Sequence, residues 1–273
     1  MYNAGVKYLL ISEEDRLKYA PELYGRGHIL VTDGQKIWVV KHKPGTVNEE
    51  KRDLLSYLLG KDFANIAEVK LLNPEEHQQI CALSHKGEDS TPGNTFLVRL
   101  GGSYSLNELP CKTVEKSVAT ELVYSTWIRR RDTHADNRVY ISGIPIFFDH
   151  QTAFLSESKY AHTTAFLKIN PDYGHPAFWR VKQISGAMTT EKSRGVEKQE
   201  DKAHHYVNDL DLFKEKLNNA EKLLKEIISQ DLKSLIKSAG FDDISADVIN
   251  NFLLNNLYTL PNDLKQMKEI ILS

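Results

Sequence analysis

The chain has 273 residues, of which 41% are hydrophobic and 26% are charged. This composition supports a sizeable core, in one large domain or in two lobes that share a cleft, and argues against disorder as the main state. Lys and Arg number 35 against 37 Asp and Glu, giving a net charge of -2. Such a balance offers no basic surface for a nucleic acid, so we predict no nucleic-acid partner.

Cysteine content and hydropathy bear on the compartment. The two cysteines are Cys81 and Cys111, and neither a signal-peptide pattern nor an apolar run long enough to cross a bilayer is found. We therefore predict a cytoplasmic protein with both thiols free and without a membrane partner.

Before residue 102 the pattern predicts strands and one helix. The extended segments are 28–32, 36–42 and 95–100. Asp33-Gly34 suits a tight turn between the first two strands. A helix over 49–59 is expected to begin at an Asn48 cap and to stop at Gly60. Its apolar positions share one face, namely Leu54, Leu55, Leu58 and Leu59.

After residue 102 the pattern predicts helices and one hairpin. Helical periodicity is found over 114–130, in the chain from 207 onwards, and over 244–271. The hairpin strands are 139–141 and 144–148. They turn at Ser142-Gly143, so Asn137 before the hairpin and Asp149 after it are expected at the same end. The charged stretch 188–202 is predicted to be a solvated linker.

Phosphoryl transfer requires a cation for the phosphates, a carboxylate near the attacking hydroxyl, and carboxylate and amide oxygens for Mg²⁺. Asp132 and Asn137 have the spacing of the base and the metal-binding amide in kinase catalytic loops. Asp149 follows an apolar strand, and Lys41 closes another just before the helix that starts at Glu49. Taken singly, such residues are more often turn formers or solubilising edge lysines. Their order predicts an ATP- and Mg²⁺-dependent kinase.

Three motifs together resemble the HipA-like kinases, which are distantly similar to phosphoinositide kinases. They are Asp132-x-His134-Ala135-x-Asn137, Phe148-Asp149-His150-Gln151-Thr152-Ala153-Phe154, and Lys41 followed by Asn48-Glu49. The resemblance covers residues 20–155. It implies that Asp132 is the catalytic carboxylate and that Asn137 and Asp149 bind Mg²⁺. It also implies that Lys41, paired with Glu49, contacts the phosphates.

The resemblance further implies an α+β, bilobal protein-kinase-like fold. We expect a sheet-rich N-lobe over 1–102 and a mainly helical C-lobe over 103–273. Backbone groups around Val98, near the connector at 97–102, are expected to bind the adenine base. For better-known members the acceptor is Ser or Thr of a protein in a toxin–antitoxin setting, which implies a protein substrate and an antitoxin-like partner.

The chain also departs from this family. It is much shorter than full-length HipA, and it has no full glycine-rich loop. The nearest stretch contains Gly25 and Gly27, which either cradle phosphates or form a simple turn. Two other functions therefore stay open: a small-molecule kinase of the aminoglycoside or choline type, and a pseudokinase that serves as a binding module.

Several further residues near the motifs have competing explanations. His134 is predicted to orient Asp132 rather than to act as a base. The basic run 129–131 either neutralises a phosphate or interacts with a helix end. The histidines at 150, 204 and 205 lack the spacing of a zinc site.

Overall fold

A computed structural model describes residues 6–19, 28–41, 48–83, 95–130, 137–154 and 231–272, with single residues between 215 and 224. It is a mixed α/β structure with an antiparallel sheet and several helices. The seven strands of this part of the chain are β1 (Leu9–Leu10), β2 (Ile29–Thr32), β3 (Ile37–Lys41), β4 (Val69–Leu71), β5 (Phe96–Arg99), β6 (Arg138–Ile141) and β7 (Ile144–Phe147). The helices are α1 (Glu13–Tyr19), α2 (Glu49–Gly60), α3 (Pro74–Leu83), α4 (Val114–Trp127), α5 (Leu232–Ser238) and α6 (Asp243–Leu272).

The first five strands form one antiparallel sheet in the order β1-β2-β3-β5-β4. Strands β2 and β3 are joined by the predicted tight turn, where Gly34 has a φ of 88°. That left-handed backbone suits glycine because it has no Cβ. The Asp33 side chain closes the turn by accepting the backbone N–H of Lys36 at 2.8 Å.

Alternation along the strands divides their side chains between two cores. Ile37 and Val39 of β3 point to a cluster shared with the β6–β7 hairpin. Trp38 and Val40 point to the opposite cluster, which includes Ile80 of α3. The hairpin therefore covers one face of the sheet, and α3 covers the other.

A third cluster lies among the helices. Leu55 of α2 and Leu122 of α4 are buried in it together with Ile236 of α5 and Leu253 of α6. The contact between α2 and α4 is close at Gly60, where an added Cβ would lie 2.9 Å from both Ile66 and Tyr124. Helix α2 is thus packed between the sheet and the C-terminal helices.

Most predicted elements within the described ranges are confirmed to within a few residues. Helix α4 is shorter than the predicted 114–130 and ends at Trp127. The predicted roles of Asn48 and Gly60 at the two ends of α2 are wrong. Asn48 adopts a left-handed backbone with a φ of 67° and makes no side-chain cap, and Gly60 is the last helical residue rather than a stop. Both cysteines are free, as predicted.

Candidate functional site

The candidate site lies where strand β3 and the end of strand β7 meet. Lys41 is the last residue of β3 and, by alternation, shares the face of Ile37 and Val39 that is turned to the hairpin. Asp149 follows β7 by two residues. Its carboxylate Oδ2 lies 3.0 Å from the ammonium Nζ of Lys41, although 108 positions separate them. Both side chains are partly open to solvent, with exposed fractions of 14% and 24%.

Backbone pairing explains why β7 ends at this point. Phe147 donates its N–H to the carbonyl of Asn65 and accepts the N–H of Ala67, both at 2.8 Å. The segment that follows α2 therefore holds the last residue of β7. On the other side Phe148 donates to the carbonyl of Asn137 at 3.1 Å, so the two ends of the hairpin lie together, as predicted.

The backbone of Asp149 is held in an unusual conformation. Its φ is 65°, in the left-handed region, which is uncommon for residues with a Cβ although less so for aspartate. Just before it, Arg130 Nη2 donates to the carbonyl of Phe148 at 2.6 Å. The Arg130 guanidinium is fully buried and pairs with the equally buried carboxylate of Glu121 at 2.8 Å. Backbone strain at a site like this is typical of functional positions.

Helix α2 holds the residues that come after Asp149. Asp53 Oδ1 accepts the backbone N–H of His150 at 2.8 Å. Arg52 Nε donates to the carbonyl of Gln151 at 2.5 Å. Two neighbouring side chains of α2 thus bind the backbone of two neighbouring residues. We define residues 148–151 as the Asp149 loop.

Burial and neighbouring charge set the protonation of these groups. Burial, together with the negative charge of Asp149, raises the pKa of Asp53 to about 6, against the opposing effect of Lys41. Burial, together with the positive charges of Arg130 and Lys41, holds the pKa of His150 well below its usual range. His150 is therefore neutral at physiological pH, and its approach to Asp53 at 3.8 Å is not an ion pair.

The described residues include five of the predicted site residues. Lys41 pairs with Asp149 and not with Glu49, which begins α2. Asn137 is buried beside the start of β6. Val98 lies in β5 between β3 and β4, with its side chain in the core. Its contact with a nucleotide base stays a prediction.

Four other predicted residues, Gly25, Gly27, Asp132 and His134, lie outside the described residues. So do Arg131 and the histidines at 204 and 205. The other two arginines of the basic run are engaged within the fold. Arg129 forms an ion pair with Asp263 at 2.8 Å, and Arg130 is fully buried and pairs with Glu121.

The donor set suits a metal ion that is shared with a phosphate. Mg²⁺ usually takes one or two carboxylates, several waters and substrate phosphates, rather than a cage made of protein alone. In the part of the chain that the structure describes, no three Asp, Glu, His or Cys side chains are grouped as a protein-only metal cluster. The part-exposed carboxylate of Asp149 fits the shared arrangement.

Sequence reasoning missed Asp53 and Arg52. Both are charged residues inside a helix whose buried face was predicted from its leucines at 54–55 and 58–59 alone. The structure buries both, at 1% and 7% exposure. The available signal was the i to i+3 spacing from Arg52 to Leu55 and from Ser56 to Leu59, which places charged and apolar side chains on one buried face.

Comparison of the chain with protein-family models, with curated proteins and with solved structures gave no match in any of the three. No helix within the described ranges is both long and apolar enough to cross a membrane.

Proposed function

We propose that this protein is an ATP-dependent kinase of the HipA-like type, with the bilobal protein-kinase-like fold. The observation that carries the proposal is the 3.0 Å contact between Lys41 and Asp149. A lysine on the third strand of an antiparallel sheet and a carboxylate after a later hairpin are the two groups that protein kinases bring to the phosphates and their metal.

Each residue has a role in this proposal. Lys41 binds the non-transferred phosphates, and Asp149 with Asn137 binds Mg²⁺. The metal, when bound, neutralises the charge on the β- and γ-phosphates. Asp132 orients the acceptor hydroxyl and accepts its proton.

In the proposed transfer one bond breaks and one bond forms. The bond between the γ-phosphorus and the bridging oxygen of ADP breaks, and a bond from the acceptor oxygen to that phosphorus forms. ADP leaves, and the hydroxyl proton passes to Asp132 or to solvent. We propose Ser or Thr of a protein as the acceptor, by resemblance to the HipA-like kinases. An antitoxin-like partner belongs to the same proposal.

One observation favours a second candidate, a pseudokinase that binds nucleotide without transferring phosphate. Active protein kinases need an ion pair between the strand lysine and a glutamate of the next helix. Here Lys41 pairs with Asp149, while the helix carboxylate of Asp53 bonds to the backbone of His150.

Labelled ATP separates the candidates. Wild type, Asp149→Ala and Lys41→Ala are incubated with γ-labelled ATP and Mg²⁺, and the label is followed on the protein itself, on lysate proteins and on small molecules. Lys36→Ala is the matched control, because Lys36 lies just before the same strand and pairs with Glu68 at 2.7 Å. We expect transfer to protein by wild type and Lys36→Ala, and a loss of at least about 100-fold in the two site variants.

The other outcomes are equally informative. Label on a small molecule identifies the aminoglycoside or choline type of kinase. Mg²⁺-dependent nucleotide binding without transfer identifies the pseudokinase. Wild-type protein that binds no nucleotide in the presence of Mg²⁺ contradicts both candidates.

A further inference from the structure

Asp53 of helix α2 is a buried carboxylate that the proposed chemistry leaves without a role. Its side chain is 1% exposed. One oxygen accepts the backbone N–H of His150 at 2.8 Å, and the other, Oδ2, makes no hydrogen bond. Burying a carboxylate with half of its acceptor capacity unused is unfavourable for folding, so its presence here indicates a purpose other than stability.

Among the described residues, the bond from His150 to Asp53 is one of three that side chains make to the backbone of the Asp149 loop. Arg130 holds the carbonyl of Phe148, and Arg52 holds the carbonyl of Gln151. The N–H that Asp53 accepts belongs to the residue directly after Asp149, whose φ of 65° needs such support. Asp53 is the only one of the three that is an anion, so it also adds negative charge beside Lys41 and Asp149.

We propose that Asp53 is a positioning residue for the catalytic centre. By holding the backbone of His150 it keeps the Asp149 carboxylate in place for Mg²⁺, and it makes the position of α2 a condition for metal binding. This inference rests on the proposed function of Asp149. The helix thus acts on the metal carboxylate through the backbone of His150, and not through an ion pair with Lys41.

The side chains that support a metal ligand typically change metal affinity by about 10- to 100-fold when they are removed. Asp53→Leu removes the acceptor while keeping a side chain of similar size. Asp53→Asn removes the charge and keeps an oxygen that can accept the His150 N–H. Leu55→Val is the matched control, because it alters a buried side chain of the same helix that makes no hydrogen bond to the loop.

Two measurements on the full chain test the proposal. The first is the affinity for Mg²⁺ at a fixed concentration of a fluorescent ATP analogue, with nucleotide affinity in EDTA as the reference. The second is hydrogen exchange of the backbone amides in the Asp149 loop, which needs no nucleotide. Both measurements are made at a temperature well below the midpoint of thermal unfolding of the least stable variant.

We expect Asp53→Leu to weaken Mg²⁺ binding by at least about tenfold, and to leave nucleotide affinity in EDTA within about threefold of wild type. Its His150 amide should exchange at least about tenfold faster, while Asp53→Asn restores most of both properties and Leu55→Val changes neither. If Asp53 had only a structural role, Asp53→Asn would not restore the two properties. The loss of affinity would also not be confined to Mg²⁺.

The inference fails if Asp53→Leu matches Leu55→Val in Mg²⁺ affinity, or if exchange of the His150 amide is unchanged. Failure of the proposed function looks different. In that case wild type shows no Mg²⁺-dependent nucleotide binding, and the positioning role falls with it even if Asp53 still protects the His150 amide.

Discussion

At the end of strand β3 one ammonium group acts on two carboxylates. Lys41 is in direct contact with Asp149, and its charge also opposes the rise in the pKa of Asp53. The negative charge of Asp149 disfavours the ionised form of Asp53, which is one reason why the pKa of Asp53 is raised. A divalent cation bound by Asp149 would relieve that repulsion.

Replacing Lys41 tests its proposed role apart from stability. We expect Lys41→Met to lower ATP affinity by about tenfold or more, because hydrogen bonds to charged groups contribute about 1.5–3 kcal/mol. The free energy of unfolding should fall by about 1–3 kcal/mol, since the change removes the cation from the mostly buried carboxylate of Asp149. Calorimetric titration and urea unfolding measure the two quantities. Lys36→Met should keep its ATP affinity, and equal losses in both variants would contradict the assignment.

The raised pKa of Asp53 predicts a pH dependence of stability. Its pKa is about 6 in the folded chain, against about 3.9 when unfolded. Between these values the folded state binds more protons, so the contribution of this group to stability is complete below about pH 4 and is lost as pH rises through about 6. The free energy of unfolding of Asp53→Asn, relative to that of wild type, should therefore rise by up to about 3 kcal/mol between these two pH values. Above about pH 6 the difference should stay constant.

Urea unfolding at intervals from pH 3.5 to pH 8 measures this gain. Ser56→Ala is the control, because it changes a buried neighbour on the same helix that cannot titrate. The free energy of unfolding of Ser56→Ala should change with pH in parallel with that of wild type. A parallel curve for Asp53→Asn would show that the carboxylate titrates normally.

Sequence could predict Lys41 and Asp149 but not Asp53, and the reason is geometric. The alternation of β3 and the hairpin signal at Ser142-Gly143 are local patterns, so they fix where both side chains lie on their own elements. The role of Asp53 depends on a contact with His150, 97 positions away. Nothing in the neighbourhood of Asp53 in the chain encodes that contact.

At the scale of elements, helix α4 is tied to the end of β7 by a buried ion pair. Glu121 lies within the helix, and Arg130 lies three residues beyond its end. The carboxylate Oε1 accepts from both Arg130 and Ser125, at 2.8 and 2.7 Å. Because the same guanidinium bonds to the carbonyl of Phe148, the pair also holds the Asp149 loop.

A double-mutant cycle tests the coupling of this pair. Arg130→Met leaves the Glu121 carboxylate buried without its ion-pair partner and should cost about 3–5 kcal/mol. The double variant Arg130→Met with Glu121→Leu should cost clearly less than the sum of the single changes, because it leaves neither charge uncompensated. Urea unfolding gives each value. The exposed pair of Lys237 and Asp243 is the comparison, and its cycle should show no measurable coupling.

The difference between local sequence patterns and contacts between distant residues also explains which elements the sequence predicted. Strands β2 and β3 and the β6–β7 hairpin have tight turns with local residue signals. Strand β1 has two residues and β4 has three, too few for an alternating pattern, and both lie at the edges of the sheet. Their pairing depends on neighbours that are distant in sequence, so these strands were missed.

At the scale of the molecule, the helical core and the core between sheet and hairpin are continuous across residue 102. Leu54 and Tyr57 of α2, and Val114 of α4, pack against both clusters. The two predicted lobes, 1–102 and 103–273, therefore share a core. A contiguous core of this kind favours cooperative unfolding of its parts.

We accordingly expect both parts of the described core to unfold in one transition. Trp38 reports on the sheet, and Trp127, which donates to the carbonyl of Leu253, reports on the helical region. Variants that retain only Trp38 or only Trp127 of the three tryptophans should show, by fluorescence, the same urea midpoint as circular dichroism of the same variant. A fragment of residues 1–102 should lack fixed tertiary structure, because it leaves Leu55, Leu59 and Phe63 without the partners that bury them. Each such side chain contributes about 1.5–3 kcal/mol when buried, a large share of a domain's net stability. Separate midpoints for the two tryptophans, or a folded 1–102 fragment, would instead make the sheet region an independent domain.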